Sequence, residues 1–164
     1  MLNDREICKP EDVAAQVRYL EATPVRGIAE LLKAGRCRLS RGNVTSLGAL
    51  GALKTEFGQI GPYVCSEGDR QAKFSVGEVL PLLGRDTSAD PTMLASIEAL
   101  IVAHREGRVE YNITLFLIGG AVIIKDGNKR TIAYHAAQQG SEARIVYPVF
   151  IVEPVEPTAN IVAN

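Results

Sequence analysis

Apolar residues recur at helical spacing early in the chain, at Val13, Val17 and Leu20, behind Pro10 at a plausible first-turn position. Thr23-Pro24 supplies a cap and a first-turn proline for a second helix through Ile28, Leu31 and Leu32, which Gly35 closes. From Cys37 to Gly68 no period holds; the stretch LGALGAL (Leu47 to Leu53) and the breaker Gly61-Pro62 interrupt it. KFSVGEVLPLL, from Lys73, alternates and ends at Pro81, as a short strand turning into a loop would. Gly84 to Thr92 is turn chemistry, and Met93, Leu94, Ile97, Leu100 and Ile101 predict a helix whose basic end precedes Gly107. ITLFLIGGAVII predicts two apolar strands joined by a two-residue hairpin at Gly119-Gly120. A helix over Thr131 to Gln139 follows, stopped by Gly140, and then a β-branched strand from Arg144 to Val152. The tail EPVEPTANIVAN, with two prolines, is expected to be extended.

This order predicts an α+β fold. It divides into a helix-rich N-terminal extension over residues 1–70, a module with a small mixed sheet flanked by helices over 71–154, and a tail over 155–164. No internal repeat or low-complexity tract is evident.

Composition narrows the function classes. With 164 residues and 46 % hydrophobic content the chain can bury a real core. A net charge of -1 excludes a global basic field of the kind that drives nonspecific nucleic-acid binding, though charges can still segregate locally. Cys8, Cys37 and Cys65 are odd in number and far apart, which argues against a CxxC-type zinc site and a disulfide framework and favours a reducing cytoplasm. The charged start MLNDREIC has no apolar core of a signal peptide. The longest nearly apolar run, Ile113 to Ile124, falls short of the roughly 20 residues a bilayer span takes, so no membrane insertion is expected.

The candidate chemistry is concentrated in DGNKR, Asp126 to Arg130, between an apolar strand and a helix of small residues. The first amides of a helix have no intrahelical partner, and with the helix dipole they favour an anion. Gly127, lacking a Cβ, lets the backbone approach a ligand closely. Lys129 and Arg130 add two cations, and a guanidinium can grip phosphate with two parallel bonds. Asp126 repels an anion unless it caps the helix, holds Mg²⁺ or acts as a base. Asp-Gly is also an ordinary turn dipeptide, and surface cations are usually solvated; the joint occurrence with the apolar strand and the helix favours a site. On the following helix Ile132, Ala133, Ala136 and Ala137 form a face for packing on the sheet. Thr131, His135 and Gln138 fall on another.

Fic domains end their motif in a similar string, but their catalytic His lies four residues before the Asp, where this chain has Val122. The better match is the ParB/sulfiredoxin-like superfamily. VIIKDGNKRTIAYHAA followed by VYPVFIV resembles its apolar strand, DGxHR or GxxR signature, small-residue helix and closing strand. FSVGEVLP and MLASIEALIVAHREG stand where the first strand and preceding helix would be, so the resemblance runs from Lys73 to Val152, about half the chain. It implies that Gly127 and Arg130 bind nucleotide phosphates and that Asp126 is the signature's leading carboxylate. Lys129 replaces the usual His, and Asn128 stands where sulfiredoxin has its catalytic Cys, which excludes that chemistry. Centromere-binding members add a helix-turn-helix domain for which the residues after Val152 are too few.

What the resemblance implies is ATP or another nucleotide with Mg²⁺, and an ATPase or DNase, as in small plasmid-encoded proteins that suppress conjugative or T-DNA transfer. DNA and a transfer-system protein are then the implied partners. A free-serine kinase and a non-catalytic nucleotide-dependent interaction module are the alternatives. The catalytic candidates are Asp126, Arg130, Glu78 and His135; the phosphate-binding candidates are Gly127, Asn128, Lys129, Arg130 and Thr131; the candidate metal ligand is Asp126. For Glu78 an outward polar position on an alternating strand is the simpler role, and His135 fits a helix surface as well as a proton donor. Asp69-Arg70 and Arg85-Asp86 are loop charges, with Arg85 within conceivable reach of a phosphate, and His104 suits the C-terminal end of its helix.

Overall fold

The computed structural model describes residues 2–66, 69, 71–110, 112–141 and 144–155. Along the chain the elements are β1 (Leu2–Ile7), α1 (Pro10–Glu21), α2 (Arg26–Lys33), β2 (Cys37–Val44), α3 (Leu47–Ala52), β3 (Gln59–Ile60), β4 (Tyr63–Val64), α4 (Val76–Arg85), α5 (Pro91–Arg105), β5 (Thr114–Ile118), β6 (Ala121–Asp126), α6 (Asn128–Gln138) and β7 (Tyr147–Pro154). Five strands form one sheet in the order β1-β2-β7-β5-β6, and β3 and β4 make a separate small hairpin.

The sheet is mixed. Neighbours pair antiparallel except β5 and β7, which run parallel. That parallel pair requires the chain to cross over between them, and β6 with α6 is the crossover. The β5–β6 reversal occurs at Gly119 and Gly120, whose φ angles of 56° and 81° meet the demand of a hairpin turn that only glycine satisfies easily.

Helices cover both faces. In β5 and β7, Leu115 opposite Ile151 faces one side and Phe116 opposite Val152 faces the other. The first side packs with Leu50, Val79, Leu83, Ile97 and Ile132 from α3, α4, α5 and α6. The second packs with Val17, Leu20, Ile28 and Leu32 from α1 and α2. Burial on both faces explains why ITLFLI and YPVFIV read as continuous apolar runs rather than alternations.

Three expectations are corrected. The N-terminal part is not merely helix-rich: β1 and β2 belong to the main sheet, with β2 paired along its whole length to β7, so a boundary at residue 70 does not divide the fold. In β2 the buried positions include Ser40 and Gly42, which hid the strand from a hydrophobic pattern. KFSVGEVLPLL is helical, not a strand, and Glu78 lies in that helix. Val76, Val79 and Leu83 are buried at helical spacing, and Ser75 and Glu78 form a capping box. Pro81 sits inside α4 and forgoes a single amide bond. Finally, α6 begins at Asn128 rather than Thr131, so Lys129 and Arg130 are its first-turn residues. The pair Asp69-Arg70 falls partly, and the tail after Val155 wholly, outside the described residues.

The Glu78 carboxylate accepts from the Ser75 amide and hydroxyl, both at 2.7 Å. Glu78→Ala and Ser75→Ala are therefore each expected to cost about 1 kcal/mol, as helix caps do, read as a lowered urea midpoint. A midpoint unchanged in both variants would refute the capping role.

Candidate functional site at the start of α6

Gly127 alone turns β6 into α6. Its φ of 88° lies in the left-handed region, and a Cβ there would stand 2.3 Å from Ile113 Cδ1. No side chain caps the helix, so the amides of Asn128, Lys129 and Arg130 stand without an intrahelical partner at its positive end.

Arg130 is held by a closed three-way contact. Its Nη2 donates to Asp126 Oδ2 at 2.9 Å and to the Tyr19 hydroxyl at 3.0 Å, and Tyr19 donates to the same Asp126 oxygen at 2.7 Å. Side-chain exposures of 25 % for Arg130 and 20 % for Asp126 place the ion pair at the surface of the fold rather than inside it. Burial works against the Arg130 charge, but the Tyr19 hydroxyl and the Asp126 and Tyr147 fields outweigh it and raise the guanidinium above its ordinary value. Burial likewise pushes the Tyr19 phenol up, against the opposing bond from Arg130. Among the described residues both bonds of Arg130 run through Nη2, and Nε and Nη1 stay uncommitted.

Tyr19 was not legible as a site residue, since 107 positions separate it from Asp126. A neighbouring buried contact fixes its helix: one turn earlier on α1, Gln16 donates to Asn112 Oδ1 at 2.9 Å and Thr114 Oγ1 at 3.0 Å.

The other motif residues have structural duties. Asn128 accepts from the Glu56 amide at 3.0 Å and donates to the Ile124 carbonyl at 3.3 Å, so its side chain clamps the 54–57 segment to the turn. Thr131 is fully buried. It donates to the Gly127 carbonyl and accepts from the Tyr147 hydroxyl, each at 3.0 Å, which corrects its expected role as a phosphate ligand. Lys129 lines the groove together with Asp126, Gly127, Asn128, Arg130, Phe57 and Leu100, around a shallow cavity of about 470 Å³.

Glu78 and His135 are not brought to this groove. Glu78 lines a different one with Phe74, Gly77, Pro81, Leu82 and Arg85. The Ser75 hydroxyl and then its amide hold the Glu78 carboxyl below the usual range, the opposite of what a general acid at neutral pH requires. Arg85 shares that groove and not the one at Arg130. His135 packs against α3, where its Nε2 would lie 2.7 Å from a Cβ on Gly51, and near Gly77 of α4. His104 does contact the site: its Nε2–H donates to the Arg130 carbonyl at 3.0 Å, and its ring stands edge-on to Tyr134 at 5.4 Å.

Asp126 Oδ2 is committed to Arg130 and Tyr19, and among the described residues no group of three or more His, Cys, Asp and Glu side chains gathers. All three cysteines are free thiols. No described helix is long and apolar enough to cross a membrane. Comparison with family models, with curated proteins and with solved structures returns no match for this chain.

Two outcomes follow from this geometry. Gly127→Ala is expected to cost at least about 1–2 kcal/mol because the left-handed backbone disfavours a Cβ, visible as a drop in urea midpoint; an unchanged midpoint would contradict the strained turn. Burial lowers both His104 and His135 below 6.5, so between their folded values and 6.5 the unfolded chain binds more protons. Their contribution is complete above pH 6.5 and is lost as pH falls through the folded values. Urea midpoints at pH 7.5 and 5.5 should show this decline, and His104→Gln with His135→Gln should flatten it. An equally steep decline in the double variant would assign the loss to other groups.

Proposed function

We propose that the start of α6 binds the phosphates of a nucleotide and that the protein is a nucleotide-binding module of the ParB/sulfiredoxin-like type. The observation that carries this reading is the tethered Arg130. Asp126 and Tyr19 orient the guanidinium through one nitrogen, and Nε and Nη1 remain for an anion beside uncapped helix amides. Such preorganisation lowers the ordering cost of binding, and the bonds it offers are charge-assisted. Lys129 adds a second cation on the same groove.

The carboxylate beside these cations has a positioning task. Asp126 offsets one of the two side-chain cations, and with Tyr19 it holds the Arg130 guanidinium in one orientation. Mg²⁺ typically uses one or two carboxylates together with substrate phosphates, so any Mg²⁺ would come with the nucleotide rather than reside in this site.

Hydrolysis of ATP or DNA is the second reading, supported by Asp126 lining the same groove as Lys129 and Arg130. It lacks help from Glu78 or His135, which stand elsewhere. A free-serine kinase would need a further base for the hydroxyl, and a role in suppressing DNA transfer would need a DNA or protein surface besides this groove.

Calorimetric titration with ATP and Mg²⁺ tests the binding reading. Arg130→Ala is expected to weaken ATP at least about tenfold, roughly the worth of one charge-assisted bond, while Arg130→Lys keeps the charge and recovers part of the affinity. Equal affinity in wild type and Arg130→Ala would sink the assignment. Phosphate release and plasmid nicking in the same samples decide the hydrolase reading: it stands if wild type turns over and Asp126→Asn does not, and falls if wild type binds ATP without turnover.

A further inference from the structure

We infer that the groove takes a mononucleotide whose base lies against Phe57 and Leu100 while its phosphates face Lys129 and Arg130; this rests on the phosphate-binding reading above. The groove has two chemical halves. Phe57, from the segment after α3, and Leu100, from α5, supply an apolar side, and the first turn of α6 supplies the cationic one. Both apolar residues are only partly buried although they pack against the core, so each keeps surface toward the groove. A free phosphate has no use for that side, whereas an aromatic base stacked on a phenyl ring does.

The position of Phe57 is fixed by the signature itself. Asn128 holds the Glu56 amide, the Phe57 amide donates to Thr55 Oγ1 at 3.1 Å, and the Phe57 carbonyl accepts from the Phe74 amide at 2.9 Å. The backbone on both sides of the ring is thus bonded, and Asn128 links the apolar wall to the turn that carries Arg130. A side chain that looks like a phosphate ligand in the sequence instead sets the distance between the two halves of the site.

One nucleotide rather than a nucleic-acid strand is the occupant that fits. The cavity of about 470 Å³ is shallow and open, and its volume is that of a small-ligand site rather than of a long channel. A strand needs a run of cations along its backbone, but Lys125, next to the motif, is paired with Glu56 at 2.7 Å, and the chain carries a net charge of -1.

Calorimetry with ATP, with tripolyphosphate and with a short oligo-dT at one ionic strength tests this. ATP should bind about tenfold tighter than tripolyphosphate, as one base stacked on an aromatic ring provides. Phe57→Ala should bring ATP down to the tripolyphosphate level and leave tripolyphosphate as in wild type. Circular dichroism checks folding; if the alanine variant is unfolded, Phe57→Leu, which keeps apolar volume without the ring face, should lose a smaller part of the ATP preference. Equal wild-type affinity for ATP and tripolyphosphate, or a Phe57 variant that weakens both alike, overturns the base shelf alone, provided Arg130→Ala still weakens both probes. Binding insensitive to Arg130→Ala, or no binding of either probe, overturns the phosphate reading and the shelf with it. Oligo-dT tighter than ATP and dependent on Phe57 overturns the mononucleotide in favour of a strand.

Discussion

A strand must become a helix within one residue at Gly127, and the surroundings of that residue hold the rest of the site in place. The left-handed backbone there opens α6, and the carbonyl of the same residue accepts from buried Thr131, which accepts from Tyr147 in the central strand. A chain of two hydrogen bonds therefore ties the turn to β7, the strand that pairs with both β2 and β5. Because Thr131 and Tyr147 are fully buried, an unmade bond there would leave a polar group without water, which costs more than the bond itself contributes. The turn is anchored for that reason, and an anchored turn holds its charged groups in place.

Around this anchor, electrostatics decides what the groove can attract. The helix end acts as roughly half a positive charge, and Lys129 and Arg130 add to it, while Asp126 subtracts one. Screening confines these effects to about 8 Å at physiological ionic strength, so the near-neutral total charge neither helps nor prevents binding at the turn. Exposed ion pairs contribute little to stability, and the partly exposed Asp126–Arg130 pair belongs near that class. Its value lies in orientation. Tyr19 completes the arrangement by accepting from the cation and donating to the carboxylate, which satisfies both without neutralising either.

How much of this could be read in advance differs residue by residue. The hairpin at Gly119-Gly120, the helix over Pro91–Arg105, and the strand–DGNKR–helix order were all visible, because each depends on neighbours within a few residues. KFSVGEVLPLL was misread since its apolar positions fit both alternation and helical spacing over so short a window, although the capping-box pattern of Ser75 and Glu78 before an apolar run stands in the sequence and decides the matter. β1 and β2 were invisible for a different reason: β1 is a charged edge strand, and β2 buries Ser40 and Gly42, so neither carries a hydrophobic signature. Asn128 and Thr131 lay in the right motif, but their donors and acceptors are spent on Glu56, Ile124, Gly127 and Tyr147, partners no local pattern specifies.

By itself, the sequence determined an α+β chain with an apolar hairpin, a glycine turn opening a helix, and two cations in the first helical turn, since backbone geometry and side-chain charge are local properties. Only the tertiary structure decided that Arg130 is tethered by a tyrosine from α1, that Glu78 caps a helix away from the groove, and that Phe57 and Leu100 wall it. Those facts depend on which distant segments the sheet brings together, and the pairing of β2 and β5 on either side of β7 is what brings them.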